Sequence, residues 1–282
     1  MNKNKSTPRK KFSLSFENLI AIFAFVMASL MVDLFYSTIV NKQIEIFKGK
    51  QSAGLIGEKE TSPWIIMDGT EQQLTIILFF ISLVLLLYKF ILIYRERSML
   101  SIDIIDLPRG RIIPREEASE FAEEMEERLP KGPSTPLSFA LPSYKEFLVT
   151  RAFKRALQRF NDDKSAKAEE VSHTITTICE NELNKLESQL AIINYIAWAI
   201  PSVGFIGTVR GIGLSLAAAG STVGGGDISV VTDSLGLAFN STLVSLLVSM
   251  FLMFFISILK RNQESFVMES EEFCQKRLLS HI

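Results

Sequence analysis

Small residues and a hydroxyl recur along one apolar stretch of the chain at helical spacing. Gly204, Thr208, Gly211 and Ser215 follow one another at steps of four, three and four residues, which places them on one face of an α-helix. In lipid, small residues let two helix backbones approach closely. A hydroxyl on such a face can also replace one of the water molecules around a hydrated ion. Helix packing alone explains the glycines. Thr208, with Pro201 one or two turns earlier, instead indicates that this face lines an ion path or a motor interface.

A second apolar stretch carries the same kind of face. Its small and hydroxyl residues follow at steps of four, three, four and four, and Thr242 stands beside the third of them. Hydroxyls on membrane helices often bond only to the carbonyl four residues earlier, but two such faces on adjacent helices favour a shared path or a cradle for another helix. The residues on this second face are Ser234, Ala238, Ser241, Ser245 and Ser249.

Two charged residues interrupt the apolar stretches. Arg210 lies about opposite Thr208 around the third stretch, where it needs a charged partner or water, or must extend its stem towards the membrane surface. Asp33 lies towards the outer part of the first stretch, where it is either an interfacial residue or an ion relay. Both alternatives stay open from the sequence.

Several function classes are excluded by what the chain lacks. His173 and His281 do not have metal-ligand spacing to each other or to Cys179 and Cys274, so we expect no metal site, no cofactor and no enzymatic activity. The glycines at 224–226 are not followed by the Lys-Ser/Thr of a phosphate-binding loop. With a net charge of −1 and no basic stripe interleaved with aromatics, nucleic acid is not an expected partner.

Hydrophobic residues make up 48% of the chain and gather in four runs of membrane-spanning length. Basic residues flank the first, second and fourth runs on the side that the positive-inside rule assigns to the cytoplasm. We therefore predict an all-α integral membrane protein with four transmembrane helices, long cytoplasmic helical extensions and both termini in the cytoplasm. The predicted segments are a cytoplasmic N-terminus at 1–18, spans at 19–40, 74–94, 188–219 and 228–260, an external loop at 41–73, a cytoplasmic helical region at 95–187, an external turn at 220–227 and a cytoplasmic tail at 261–282.

The region between the second and third spans divides into three parts. Residues 114–129 have apolar residues at helical spacing and glutamates on the other face, which predicts an amphipathic helix. Five prolines and glycines within 130–142 predict a stiff linker. Residues 143–190 contain neither proline nor glycine, so we expect one long helix that runs into the third span.

The two small-residue faces resemble the paired motifs of the MotA/TolQ/ExbB proton-channel family over residues 184–260. The motifs read Ile200-Pro-Ser-Val-Gly-Phe-Ile-Gly-Thr-Val-Arg-Gly211 and Ala238-Phe-Asn-Ser-Thr-Leu-Val-Ser-Leu246. The resemblance implies that Thr208 and Thr242 are the two family threonines that line the ion path. It places the helix-packing positions at Pro201, Gly204, Gly207 and Gly211.

The chain departs from the family pattern at two positions. Leu237 stands where the TolQ/ExbB branch has glutamate, and Ser245 stands where the pattern has glycine. Four spans with a large segment between the second and third are more similar to the MotA branch. The resemblance implies a homopentamer in the bacterial inner membrane around a dimer of a single-span MotB/TolR/ExbD-like partner. That partner would carry the ion-binding aspartate, and inward flow of protons or sodium would drive motion of the complex.

Two alternatives from other classes stay open. A static membrane scaffold would need the threonines only for packing. A channel subunit that works without a partner would need its own titratable group in the pore, for which Asp33 and Arg210 are the candidates.

Overall fold

The computed structural model describes residues 16–53, 62–101, 112–129, 143–162, 167–220 and 228–282, and every regular element in them is a helix. The predicted all-α class is confirmed. The α-helices are α1 Phe16–Phe35, α2 Asn41–Ser52, α3 Pro63–Ile66, α4 Thr70–Ser98, α5 Ala118–Arg128, α6 Leu148–Asp162, α7 Ala168–Gly220 and α8 Ile228–Leu279, with a π-helical turn at Tyr36–Val40 and 3-10 turns at Met99–Ser101, Arg115–Glu117 and Tyr144–Glu146.

Four of these helical stretches are long and apolar enough to cross a membrane, as the hydropathy predicts. They are 22–51, 70–101, 168–220 and 231–279. At 53 residues, α7 is about 80 Å long, whereas a bilayer's hydrocarbon core is only about 30 Å thick. Both α7 and α8 therefore continue far beyond the membrane as helical extensions.

Helices α7 and α8 form an antiparallel pair, and α4 packs against both of them while α1 packs against α4. At one end of α4, Glu96 Oε2 accepts a hydrogen bond of 3.4 Å from the backbone N–H of Leu148, the first residue of α6. We call this the α6 end of the bundle. The start of α4, some 40 Å away along the helix, is called the far end.

The helix of the first span does not end at residue 40. A π-helical turn leads directly into α2, which continues to Ser52, so the segment predicted as a loop at 41–73 begins with a helix and also contains α3. Lysines on α2 make it polar, and Lys48 Nζ lies 3.2 Å from Asp68 Oδ2. A polar helix gives no apolar run, which is why hydropathy alone ends the element at 40.

The prediction of one helix from 143 to 190 is wrong. Residues 148–162 form α6, which is separate from α7 and packs against α5, α7 and α8. The reason is that α6 has an apolar face of its own, including Phe153 and Leu157, which are fully buried. A helix continuing straight into α7 would leave that face in water, and burial of apolar area favours the folded-back arrangement.

The amphipathic helix predicted at 114–129 is confirmed as α5 with a preceding 3-10 turn. Ala118, Ala122 and Met125 are buried. On its polar side, Glu126 Oε1 lies 2.6 Å from Lys154 Nζ of α6, and that hydrogen bond lowers the pKa of the Glu126 carboxyl. Apolar contact and an ion pair thus hold α5 on α6.

Three predicted segments lie outside the described residues. They are the basic N-terminal segment up to residue 15, the proline linker at 130–142 and the external turn at 220–227, apart from Gly220, the last residue of α7.

The packing of α6 gives a stability prediction. We expect Phe153→Ala to destabilise the protein by about 3–5 kcal/mol, because it removes a fully buried ring that meets Phe273 of α8 edge-on at 6.1 Å. Thermal unfolding of the detergent-solubilised protein measures the loss. Gln158→Ala, on the exposed side of α6, is the matched control and should change stability by less than about 0.5 kcal/mol. Equal melting of the two variants would contradict the packing of α6 described here.

Candidate functional site

Three glycines of α7 let the backbone of α8 approach closely. A Cβ at Gly204 would lie 2.8 Å from Ser245 Cβ, and one at Gly211 would lie 2.5 Å from Ala238 Cβ. A Cβ at Gly207 would lie 2.8 Å from Ser241 Cβ. These separations are too short for side-chain atoms, so the predicted small faces of α7 and α8 meet only because these positions are glycine.

The carbonyl of Gly204 is the centre of the hydroxyl cluster. It accepts hydrogen bonds from Thr242 Oγ1 at 3.0 Å and from Thr208 Oγ1 and Ser241 Oγ at 3.3 Å. Thr208 Oγ1 also donates to Ala238 O at 3.1 Å and contacts Thr242 Oγ1 directly. The two predicted ion-path threonines are therefore in contact, and we call them the threonine pair.

The threonine pair is accessible from one side. Gly204, Ser241 and Ser245 are buried between α7 and α8, whereas Thr208 and Thr242 are only partly buried. A hydroxyl can both donate and accept a hydrogen bond. A polar group outside this chain can thus reach the pair without separating the two helices.

Pro201 lies inside α7 without ending it. Proline has no N–H, so the carbonyl of Ala197, four residues earlier, loses its helical donor. Ser249 Oγ of α8 donates to this carbonyl at 3.0 Å instead. In lipid an unpaired backbone carbonyl is costly, and this bond between the helices therefore makes the proline tolerable.

The remaining hydroxyls of the two faces bond to backbone carbonyls. Ser215 Oγ donates to Gly211 O at 2.9 Å and to Val231 O of α8 at 3.2 Å. Ser245 Oγ donates to Thr242 O at 3.0 Å. The small-polar residues predicted from spacing all lie along the contact between α7 and α8, and several of them join the two helices by hydrogen bonds.

Arg210 has a charged partner on a third helix. Its Nη2 atom lies 3.0 Å from Glu71 Oε2 and its Nη1 atom donates to Thr70 Oγ1 at 3.3 Å, both in the first turn of α4. Of the alternatives left open by the sequence, the structure therefore shows an ion pair. Asp33 is elsewhere, on α1, where its Oδ1 atom accepts a 2.5 Å hydrogen bond from Gln73 of α4.

Glu71 is the residue that sequence reasoning missed. It lies within the segment predicted as an external loop, but the structure places it in a helix next to Gly207, with its Cγ atom 3.2 Å from the position of a Cβ there. Its position three residues before the second apolar run was the available signal. A small cavity at this point is lined by Glu71, Gly207, Arg210, Gly211, Leu214, Ser234, Leu237 and Ser241.

Leu237 and the Glu71 carboxylate therefore line the same cavity. The TolQ/ExbB pattern has a glutamate at this position, and here the acid that lines the cavity comes from α4. Within the described ranges, no group of three or more His, Cys, Asp and Glu side chains is placed to hold a metal ion. The two cysteines are buried free thiols.

The close approach of α7 and α8 gives a second stability prediction. We expect Gly204→Ala to lower stability by about 1–3 kcal/mol, because the added methyl meets Ser245 Cβ at 2.8 Å and the Thr242 backbone at 3.1 Å. Gly213→Ala on the same helix meets nothing within 4 Å and should be neutral or stabilising by up to about 1 kcal/mol. Thermal unfolding in detergent compares the two, and a Gly204 variant as stable as the Gly213 variant would contradict the packing.

Comparison with known proteins gives one family. Residues 145–272 match the family model of the MotA/TolQ/ExbB proton channel family. The match covers α6, α7 and most of α8, and includes the threonine pair, the glycine face and Arg210. A search of curated proteins gives no match. Residues 145–272 are therefore similar to the MotA/TolQ/ExbB proton channel family, and the described part of the chain is all-α with four helices long and apolar enough to cross a membrane.

Proposed function

We propose that this chain is the channel subunit of an ion-driven motor. It works as a pentamer with a single-span MotB/TolR/ExbD-like partner and couples inward flow of protons, or of sodium, to mechanical work across the cell envelope. The observation that carries the proposal is the threonine pair, which joins two membrane helices by hydroxyl contact and is accessible from outside the subunit.

A hydroxyl pair suits a moving carboxylate from the partner. A carboxylate is ionised where it meets water and protonated where it faces lipid. Each threonine hydroxyl has one proton, which can turn from its backbone carbonyl to the ionised carboxylate, and lone pairs that accept from the protonated form. Neither state is therefore held permanently. About 2.3 kcal/mol is available per charge for each 100 mV of membrane potential, and this drives the cycle.

The proposed location is the bacterial inner membrane. Both termini and the α5–α6 helices are in the cytoplasm, and the far end of the bundle faces the opposite side. The basic flanks of the apolar runs support this orientation.

One feature of the site favours a second candidate function, that of a membrane scaffold without ion conduction. The hydroxyls of the threonine pair donate to carbonyls within this chain, at Gly204 and Ala238. Such bonds stabilise helix packing whether or not an ion passes. The two functions differ in what removal of the hydroxyls does to ion flow.

The proposal predicts the effect of replacing both threonines by valine. Thr208→Val with Thr242→Val keeps the side-chain volume and removes both hydroxyls. We expect ion flow in the assembled complex to fall at least about tenfold, while Thr→Ser at the same positions keeps most of it. The measurement is proton uptake by vesicles containing the chain co-expressed with its partner. Ser215→Ala, in the same helix contact but farther along α7, is the control and should retain flow.

Assembly of the double valine variant is checked by its mass before flow is compared. A variant that assembles and conducts like the wild type would show that the hydroxyls are packing groups and would favour the scaffold.

The proposal also predicts the composition of the complex. We expect native mass measurement of the detergent-solubilised assembly to give five copies of this chain and two of the partner. The apolar surfaces that α7 and α8 leave exposed, including Val209, Leu216 and Phe239, can contact either lipid or further helices. A monomer or dimer that retains ion flow would overturn the pentamer.

A further inference from the structure

Glu71 is a carboxylate held mostly out of solvent at the far end of the bundle. Its side chain is only 11% exposed, whereas that of its partner Arg210 is 49% exposed. The pair joins α4 to α7 with Oε2 and Nη2 at 3.0 Å, and Thr70 Oγ1 contacts both members of the pair. A carboxylate removed from water keeps its charge only with such compensation.

The Glu71 side chain reaches the contact between α7 and α8 because position 207 has no side chain. Glu71 Cγ and Ser241 Cβ lie 3.2 and 2.8 Å from the point that a Gly207 Cβ would take. Both residues line the same small cavity, together with Ser234. The carboxylate of α4 and the hydroxyl of α8 therefore face one space.

Polar groups continue from this cavity to the threonine pair. Ser241 Oγ donates to the Gly204 carbonyl at 3.3 Å, and Thr242 Oγ1 donates to the same carbonyl at 3.0 Å. One backbone oxygen thus connects the residue that lines the cavity with the residue that forms the pair.

A neighbouring polar side chain on α4 has no hydrogen bond among the described residues. Thr75 is 1% exposed and its Oγ1 atom is unpaired. It lies one helical turn after Glu71, on the same face of α4. Buried hydroxyls in proteins are almost always hydrogen-bonded, and water commonly supplies the bond. Thr75 thus adds a second buried polar group to this face of α4, although it is not among the residues that line the cavity.

We propose that Glu71 is the cation-accepting group at the far-end entrance of the ion path. This inference rests on the proposed channel function. The carboxylate takes a monovalent cation, either the proton of a hydronium ion, which leaves as water, or a hydrated sodium ion. The cation then passes along the Ser241 side of the cavity to the partner's carboxylate at the threonine pair.

Arg210 makes the exchange reversible. When Glu71 is empty, the guanidinium neutralises it, and when a cation binds, the half-exposed arginine is free to turn towards solvent. No buried charge is left unpaired in either state, so the site neither traps the ion nor requires a large desolvation cost.

Three other carboxylates of the described residues near this end do not line the cavity. Asp33 accepts a hydrogen bond from Gln73, and Asp68 pairs with Lys48. Asp233 of α8 is exposed. Among these carboxylates, Glu71 alone lines the cavity beside Ser241.

The test uses vesicles that contain the full chain co-expressed with its partner, under an imposed potential, with a pH-sensitive dye inside. Glu71→Gln is nearly isosteric and removes the charge. We expect at least a tenfold loss of proton uptake in complexes of normal mass. Sodium-sensitive dye in parallel vesicles shows which cation is carried, since the loss should appear for that cation.

A charge swap separates ion acceptance from simple bracing of α4 against α7. Glu71→Arg with Arg210→Glu restores an ion pair but moves the carboxylate from α4 to the exposed position on α7. We expect normal assembly with flow still reduced at least tenfold. Glu269→Gln is the control, because Glu269 pairs with Arg97 at the α6 end, and it should conduct like the wild type.

The outcomes are distinct from those of the proposed function. If the wild-type complex carries neither ion, the channel function itself fails. If the wild type conducts and either Glu71→Gln or the swap conducts within twofold of it, the channel stands and the role of Glu71 is overturned.

Discussion

The absence of three side chains on α7 is the constraint on which the site depends. At Gly204, Gly207 and Gly211 the backbone of α8 comes so near that no Cβ fits. This approach brings two hydroxyls of α8 within hydrogen-bond distance of the Gly204 carbonyl, which also accepts a bond from Thr208 of its own helix. It also leaves beside Gly207 the room that the Glu71 side chain enters. Lipid provides no hydrophobic force between helices, so packing and hydrogen bonds of this kind hold the pair together.

Charged side chains of α4 contact other helices at the far end and towards the α6 end, where the buried Lys89 donates to Gln189 of α7. Arg210 and Glu71 pair at the far end, and Glu96 contacts the start of α6 at the other. Between them, hydroxyls and backbone carbonyls supply the polarity along α7 and α8. Hydroxyls cost less to bury than charges, and for this reason a subunit of this kind can leave the ion-carrying acid to another chain, as the proposed function requires.

Periodicity predicted the four spans and the facing positions of Thr208 and Thr242, because a helix repeats every 3.6 residues and lipid demands long apolar runs. It could not predict the partner of Arg210. Glu71 meets Arg210 only once α4 begins at Thr70 and docks against α7, and that docking depends on tertiary packing. The separate α6 was also missed, since a stretch without proline or glycine gives no local signal that the chain turns back.

The bond from Ser249 to the Ala197 carbonyl has a mechanical consequence. A proline usually weakens a helix at one point, where it bends under load. Here the adjacent helix bridges that point, and Thr176 Oγ1 bonds to Glu271 Oε1 at 2.6 Å far along the same pair. Two helices that are bonded to each other at several points bend less than one helix alone. We therefore expect α7 and α8 to move as one rigid unit. If the helices shift near the threonine pair, their far ends would shift by a similar amount, because little of the movement is absorbed by bending.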